Sequence, residues 1–336
     1  MTCPAAVVTK TAAMRIFRHV AGLPEFVRGS SVAIGNFDGV HLGHQAVINE
    51  AGTHAEKLSV PLSVITFEPH PRRYFRPKEP TFQLTPLRSK VRRFEAIGVE
   101  QLLIVHFDAD TSQLTHDQFV DTFITEGFQA KHVSVGYDFV FGAGRGGDAD
   151  YLRERAATDG FELSALEPVK DVSGTIYSST NIRNCLVDGN PLGAARLLGR
   201  PWEVEGRVIK GDQRGRQIGF PTANISIEDY VKPALGVYAV WVGVEEGGET
   251  TWHMGCANVG RRPTFDKNDV NCEVYIFDFT DDIYDKLLRV ALVEYIRPEK
   301  KFDGIAELRE QIALDSHDAR TLLESIGSDD FRRAPD

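Results

Sequence analysis

Cysteine is scarce in this chain, positive charge is in deficit and long apolar runs are missing. The four cysteines, Cys3, Cys185, Cys256 and Cys272, form no CxxC pair and no finger-like spacing. That argues against a structural zinc site or a disulfide framework and predicts reduced thiols. With 48 acidic against 38 basic residues the formal net charge is −10, which argues against a general nucleic-acid binder. No apolar stretch approaches the ~20 residues of a membrane-crossing helix. The opening residues, Met1 to Ala13, carry one lysine and no apolar core, a poor secretory signal. The expectation is a cytoplasmic protein without nucleic-acid or membrane partners, monomeric or weakly self-associating. Positive charge is concentrated in two places, Arg72-Arg73 with Arg76 and Lys78, and Arg207 through Arg216; a polyanion would go there.

What is present changes rhythm at mid-chain. The 336 residues suffice for two domains with separate cores. Up to about residue 184, strands are expected at Ser31–Ile34, Leu62–Phe67, Gln101–Phe107, His132–Val140 and Phe161–Leu166. Helical patterns fall between them at Gln45–Lys57, Pro86–Ile97, Thr115–Glu126 and Asp150–Thr158. This alternation implies a Rossmann-like α/β domain, a parallel sheet covered on both faces, with ligands beyond the carboxyl ends of its strands. A helix is expected over Ser179–Leu198, stopped by Gly199-Arg200-Pro201. From Trp202 the runs Trp202–Lys210, Gly236–Val244, Thr251–Val259, Asn271–Phe277 and Leu288–Ile296 alternate apolar and polar residues between glycine-rich turns. They predict an antiparallel β-barrel, closed by an amphipathic helix over Asp303–Ile326. The domains are drawn at 14–185 and 186–336.

The most informative run is Gly35-Asn36-Phe37-Asp38-Gly39-Val40-His41-Leu42-Gly43-His44-Gln45. It joins a strand to a helix start, where unpaired N–H groups and the helix dipole favour phosphate. Gly43 lets the backbone approach a ligand, and His41 and His44 supply donors that can follow charge developing on a phosphoryl oxygen. A second strand end, Thr66-Phe67-Glu68-Pro69-His70-Pro71, presents Phe67 and His70 on rigid prolines. In Ser178-Ser179-Thr180-Asn181-Ile182-Arg183, hydroxyls at a helix start can cap it or bind phosphate, with Arg183 about one turn on to grip the same oxygens. A competing signal is Gly142-Ala143-Gly144-Arg145-Gly146-Gly147, which fits GxGxxG with Glu167 downstream, the layout of a dinucleotide-binding oxidoreductase.

In the second half, Gly211-Asp212-Gln213-Arg214-Gly215-Arg216-Gln217-Ile218-Gly219 is glycine-rich and basic, able to cradle phosphates through backbone N–H groups. It is no Walker A motif, for no Gly-Lys-Ser/Thr follows. Thr222 and Asn224 come next, two oxygen ligands at the period of a strand and suited to Mg²⁺ that is otherwise held by water and nucleotide phosphates. Glu273 is a carboxylate able to take the proton of an attacking alcohol.

These motifs together resemble, over nearly the whole length, the family of bifunctional bacterial riboflavin kinase/FMN adenylyltransferases (FAD synthetases). The resemblance implies a transferase that phosphorylates riboflavin to FMN with ATP and adenylylates FMN to FAD, with Mg²⁺ at each site. It implies that His41 and His44 stabilise the α-phosphorus of ATP, that Ser179, Thr180 and Arg183 hold the departing pyrophosphate, and that Gly35, Asn36, Phe37, Asp38 and Gly43 shape the pocket. Phe67, His70 and Asp138, the last in a loop over Gly136–Asp148, would border the flavin. In the kinase half it implies Thr222 and Asn224 on Mg²⁺-nucleotide, Glu273 as base toward the ribityl 5′-hydroxyl, and Gly211 to Gly219, with Arg214, as a phosphate flap. Phe302, with Arg297, would flank the isoalloxazine. Two residues depart from the family pattern: Tyr275 stands where histidine is common, and Tyr177 replaces an aliphatic residue.

Overall fold

The computed structural model describes residues 13–209, 215, 218–261 and 270–327. The chain forms two compact units, one ending at Glu79 and resuming over Leu87–Ile176, the other made of Pro80–Pro86 and the chain from Tyr177 on. The boundary expected at 185/186 lies inside a helix of the second unit.

In the first unit β1 (Arg15–Phe17), β2 (Ser31–Ile34), β3 (Leu62–Glu68), β4 (Gln101–His106), β5 (His132–Gly136) and β6 (Glu162–Leu166) form one sheet in the order β1-β4-β3-β2-β5-β6. Every pairing is parallel. Its strands are apolar on both sides because helices cover both faces. Ala33 and Val64 pack with Ile48 and Phe94 on one face, while Val32, Ile34 and Ile65 pack with Phe119 and Phe123 on the other. The helices are α1 (Leu42–Leu58), α2 (Pro71–Phe75), α3 (Leu87–Ala96), α4 (Ala109–Gln113), α5 (His116–Phe119, continued by a π-helical stretch Val120–Phe128) and α6 (Ala149–Asp159). The strand order reverses between β2 and β5, so their carboxyl ends flank the switch point where such sheets take ligands.

The second unit opens with α7 (Ser179–Val187) and α8 (Pro191–Leu198), where one continuous helix was expected. The break has a local cause: Gly189 is left-handed (φ 70°), the Asn190 side chain accepts from Gly193 N, and Pro191 begins the new helix. The strands β7 (Trp202–Arg207), β8 (Ala223–Ser226), β9 (Gly236–Glu246), β10 (Glu249–Arg261), β11 (Val270–Ile276) and β12 (Leu287–Pro298) run in the order β7-β12-β9-β10-β11-β8, all antiparallel. A bridge between Ile209 and Asn224 joins the two edges, curling the sheet into a barrel. Val240, Val242, Ile225, Val274 and Leu288 fill its inside. On the outer face α9 (Ile305–Ile326) lays Ala319 and Leu323 against Ala239 and Trp241. The segment Pro80–Pro86 is bound into this unit by successive carbonyls: Phe82 O accepts from Arg183 Nε (2.7 Å), Gln83 O from Val231 N (2.8 Å) and Leu84 O from Trp202 Nε1 (2.9 Å). Among the described residues Cys185, Cys256 and Cys272 are unpaired thiols, and burial pushes those of Cys256 and Cys272 up to about 12.

Candidate functional site

In the first unit the Gly35–His44 run sits at the carboxyl end of β2. Helix α1 begins at Leu42, three residues earlier than the apolar period suggests, because His41 is itself the cap and its Nδ1 accepts from His44 N at 3.2 Å. That bond assigns the proton of neutral His41 to Nε2, leaving a donor on the other side of the ring. The two imidazoles stack at 3.5 Å and 21°. Phe37 meets His44 edge-on at 5.3 Å and Phe94 edge-on at 5.7 Å. The loop is strained: Phe37 (φ 48°) and Val40 (φ 43°) both lie in the left-handed region, as does Gly39 (φ 93°). Each such non-glycine residue costs on the order of 1–3 kcal/mol, and it persists only where its surroundings hold it. Here Asn36 O accepts from Lys90 Nζ (3.0 Å) and Thr66 Oγ1 (3.2 Å), Val40 O accepts from Gln45 Nε2 (2.9 Å), and Phe37 O from Val40 N (3.1 Å). Asp38 and His41 are buried beneath it.

The neighbouring strand ends are arranged differently from expectation. Strand β3 runs on through Glu68, so Phe67 is a core ring packed 6.2 Å from Phe107 and 6.1 Å from Phe119, not a residue presented by the proline turn. His70 caps α2 by accepting from Arg72 N. Asp138 is exposed just past β5. The basic segment after His70 is partly neutralised internally: Arg72 Nε and Arg76 Nη1 donate to the Glu79 carboxylate, and Arg73 Nη1 to its carbonyl. The Arg76 and Arg72 guanidiniums also hold the Glu79 carboxyl below the usual carboxylate range.

The glycine run Gly142–Gly147 has an ordinary cause. A Cβ at Gly142, Gly146 or Gly147 would fall 2.7–2.9 Å from the backbone or side chain of His116, and at Gly147 also 2.5 Å from the Phe141 ring. These residues are glycines because the loop closes over α5, which removes the need for a dinucleotide turn.

In the second unit Ser178 is the cap of α7, accepting from Asn181 N at 3.2 Å, so Ser179 and Thr180 fall in the first turn. Arg183, one turn on, donates Nε to Phe82 O and lies over the Phe82 ring at 5.3 Å. At the barrel, Glu273 is the direct cross-strand partner of Asn224 on one side and of Asn258 on the other. Opposed residues point to the same face, so Glu273 and Asn224 share the outer face, and Thr222 precedes Asn224 by two. Glu273 is exposed while Asn224 is buried, its Oδ1 accepting from Asn271 Nδ2 at 2.6 Å. A cavity of about 380 Å³ opens beside them, lined by Val208, Thr222, Ala223 and Val274 with Phe279 to Tyr284. Thr222 is the one proposed ligand that lines it. Gly215 lies against this strand start: its carbonyl accepts from Phe220 N (2.8 Å), and a Cβ there would meet Phe220 O at 2.3 Å and Thr222 Oγ1 at 3.4 Å. Gly219 is left-handed (φ 90°). Gly211 and Arg214 lie outside the described residues. Tyr275 fills an aromatic row between Phe220 (5.3 Å) and Phe277 (5.6 Å).

At the far end of β12, Arg297 grips Asp315 of α9 with Nε (2.8 Å) and Nη2 (2.6 Å), and Gln311 Nε2 donates to the same carboxylate. Asp315 pushes the Arg297 pKa up. Phe302 is half-buried beside Arg297, its ring 5.8 Å from the guanidinium carbon. Asp315 was not singled out from sequence, nor were Lys90 and Asn271. A signal existed for Lys90, which interrupts the apolar stripe Leu87, Val91, Phe94 of a helix. Among the described residues no three His, Cys, Asp or Glu side chains form a metal-binding group, and no helix is long and apolar enough to cross a membrane.

Residues 23–181 match the FAD synthetase family and residues 198–323 the riboflavin kinase family. With the parallel α/β sheet in one unit and the curled antiparallel sheet in the other, that makes the chain a two-domain transferase. It is 38% identical over 312 residues to a bifunctional riboflavin kinase/FMN adenylyltransferase of Escherichia coli K12, covering 92% of this chain and 98% of that protein. It is 40% identical to the protein so named in Listeria monocytogenes, covering 88% and 93%. A crystal structure described as a macrolide-efflux protein from Streptococcus pneumoniae shares the fold, with TM-score 0.78, 32% identity and coverage of 92% and 99%. The chain belongs to the bifunctional riboflavin kinase/FMN adenylyltransferase family.

Proposed function

We propose that this chain uses ATP twice, phosphorylating riboflavin to FMN at the barrel and adenylylating FMN to FAD, with release of pyrophosphate, at the parallel-sheet site. The observation that supports the reading is that each unit holds its own cluster of polar side chains: the stacked His41–His44 pair at a helix start, and Glu273 registered against Asn224 with Thr222 two residues before it.

In the kinase step the Glu273 carboxylate accepts the proton of the ribityl 5′-hydroxyl as its oxygen attacks the γ-phosphorus, and ADP leaves. Thr222 and Asn224 offer neutral oxygens, a donor set suited to a Mg²⁺ ion that arrives with the nucleotide and keeps phosphate and water ligands. Asn271 occupies one side of the Asn224 oxygen, which has a second lone pair for such an ion. Bound there, Mg²⁺ would offset charge on the transferring phosphate. Gly215 and Gly219, with Gly211 and Arg214, form the phosphate flap; Phe302 and Arg297 border the flavin.

In the adenylyl step an FMN phosphate oxygen attacks the α-phosphorus in line and the bond to the bridging oxygen breaks. No proton need move, so His41 and His44 act by donating hydrogen bonds to the oxygens that gain charge. Asn36 and Asp38 shape this pocket, Ser179, Thr180 and Arg183 take the pyrophosphate, and His70 and Asp138 lie toward the flavin. Localisation in the cytoplasm fits substrates of this kind.

The test is to incubate the purified chain with riboflavin, ATP and Mg²⁺ and to separate the flavins by chromatography. FMN appears first and FAD follows. Absence of FMN removes the kinase assignment, and absence of FAD from added FMN removes the other.

A further inference from the structure

Lys90 is completely buried, and its polar partners belong to the loop and strand ends around the adenylyl site. Its ammonium donates to Asn36 O at 3.0 Å and stands 4.0 Å from Glu68 Oε2, in the field of the Asp38 carboxylate. Asp38, in the loop after β2, and Glu68, at the end of β3, are the charged groups that face it. One turn further along α3, Phe94 is also fully buried and packs edge-on against Phe37, whose ring in turn meets His44. Positions four apart lie on the same helix face, so α3 presents one polar and one aromatic support to the underside of a single loop. That loop carries two left-handed non-glycine residues, Phe37 and Val40, a conformation that needs support from outside. A buried ammonium is costly to place. A methionine would fill the same slot without that cost, so a charge here calls for a reason beyond packing.

We infer that Lys90 is a positioning residue for adenylyl transfer: it clamps the Asn36 carbonyl and balances Asp38 and Glu68, so that the Asn36–Val40 loop delivers His41 and His44 to the α-phosphorus. The inference rests on the adenylyl reading above and deepens it. It assigns Lys90 no contact with substrate. Burial pulls the lysine pKa below its ordinary value while Asp38 and Glu68 pull it back up, so the clamp loosens as pH rises through the lowered value.

The test compares the wild-type chain with Lys90→Met, which keeps most of the length and volume but neither donor nor charge. In Lys90→Met, kcat for FAD formation from added FMN falls about 100-fold, the scale of an ångström-sized misplacement of reacting groups. FMN formation from riboflavin is unchanged in the same preparation. The wild type shows an alkaline fall in the FAD-forming rate that the variant lacks. The FAD assay is repeated well below the melting temperature, where a loss due only to destabilisation disappears and a positioning loss persists. A wild-type rate in Lys90→Met, recovery on cooling, or an alkaline limb retained in the variant each overturns the role of Lys90. Failure of the wild type itself to make FAD sinks the adenylyl reading instead.

Discussion

The two candidate centres hold their reactive groups in opposite ways. Around His41 and His44 the backbone is irregular, twice left-handed at non-glycine residues, and kept in place by buried groups from α3 and β3. Around Glu273 the backbone is plain antiparallel strand, and the cross-strand register with Asn224 and Asn258 decides what faces what. A register-fixed side chain can be exchanged without disturbing its neighbours. A loop locked by packing loses shape when a ring is removed, so chemistry and stability are separable in the barrel and entangled in the parallel sheet.

The largest effect should come from Glu273→Gln. FMN formation falls roughly 10²–10⁴-fold, the range of a lost general base, with riboflavin binding retained. Because Glu273 is exposed on a regular strand, its unfolding free energy should move by no more than about 0.5 kcal/mol. Rate assays with flavin binding by fluorescence check this; an unchanged rate takes Glu273 out of the mechanism, and a large loss of stability breaks the contrast between the centres.

His44→Ala comes next. Losing one donor to developing charge should raise the FAD-forming barrier by roughly 2.7–4 kcal/mol, while FMN formation continues. Here stability should fall too, because the ring is held between His41 and Phe37. Loss of both activities in a folded protein would count against two independent centres; loss of rate with no change in stability would show that the ring packing carries no weight.

Sequence made the barrel and the parallel sheet readable because their periods differ, and it placed the histidine pair at a strand-to-helix junction. It was less informative where one pattern serves two causes. The glycines of 142–147 fit a dinucleotide turn, but Gly142, Gly146 and Gly147 answer to His116, a residue outside the run. Phe67 looked presented to a ligand, since nothing local reveals that β3 continues one residue further. Strand β1 has three residues, too few for alternation to register. Lys90 sat in plain view within an apolar stripe, where a lysine is ordinarily read as a stem with its charge in water.

A further contrast lies at the amino ends of the first unit's strands, away from both centres. His132 is buried between Ser31 Oγ (2.8 Å from Nδ1) and Ser164 Oγ (3.0 Å from Nε2), and stacks on His54 at 3.7 Å. Burial, and then the charge of His54, brings its pKa down to about 4 from 6.5, against the pull of Glu50 and Glu162. Between those values the unfolded chain binds a proton that the folded form refuses. Stability present at pH 7 is therefore lost as pH falls from 6.5 toward 4, by about 2 kcal/mol at pH 5. Proteolysis in graded urea at pH 7 and pH 5, following fragments of the first unit, should show this loss, and His132→Asn should flatten it. An equal loss in the variant assigns the pH response to other groups.

The smallest effect separates two adjacent hydroxyls that sequence could not tell apart. Ser178 spends its oxygen on Asn181 N as the cap of α7; Ser179 stands one residue inside the helix, in the turn whose N–H groups favour an anion. Ser178→Ala should accordingly cost about 1 kcal/mol of stability, leaving FAD formation nearly intact once the protein is folded. Ser179→Ala should act on the reaction instead, weakening ATP in FAD formation, read as a raised KM. If the two variants exchange these signatures, the phosphate-directed hydroxyl is Ser178, and the capping bond seen here gives way when nucleotide binds.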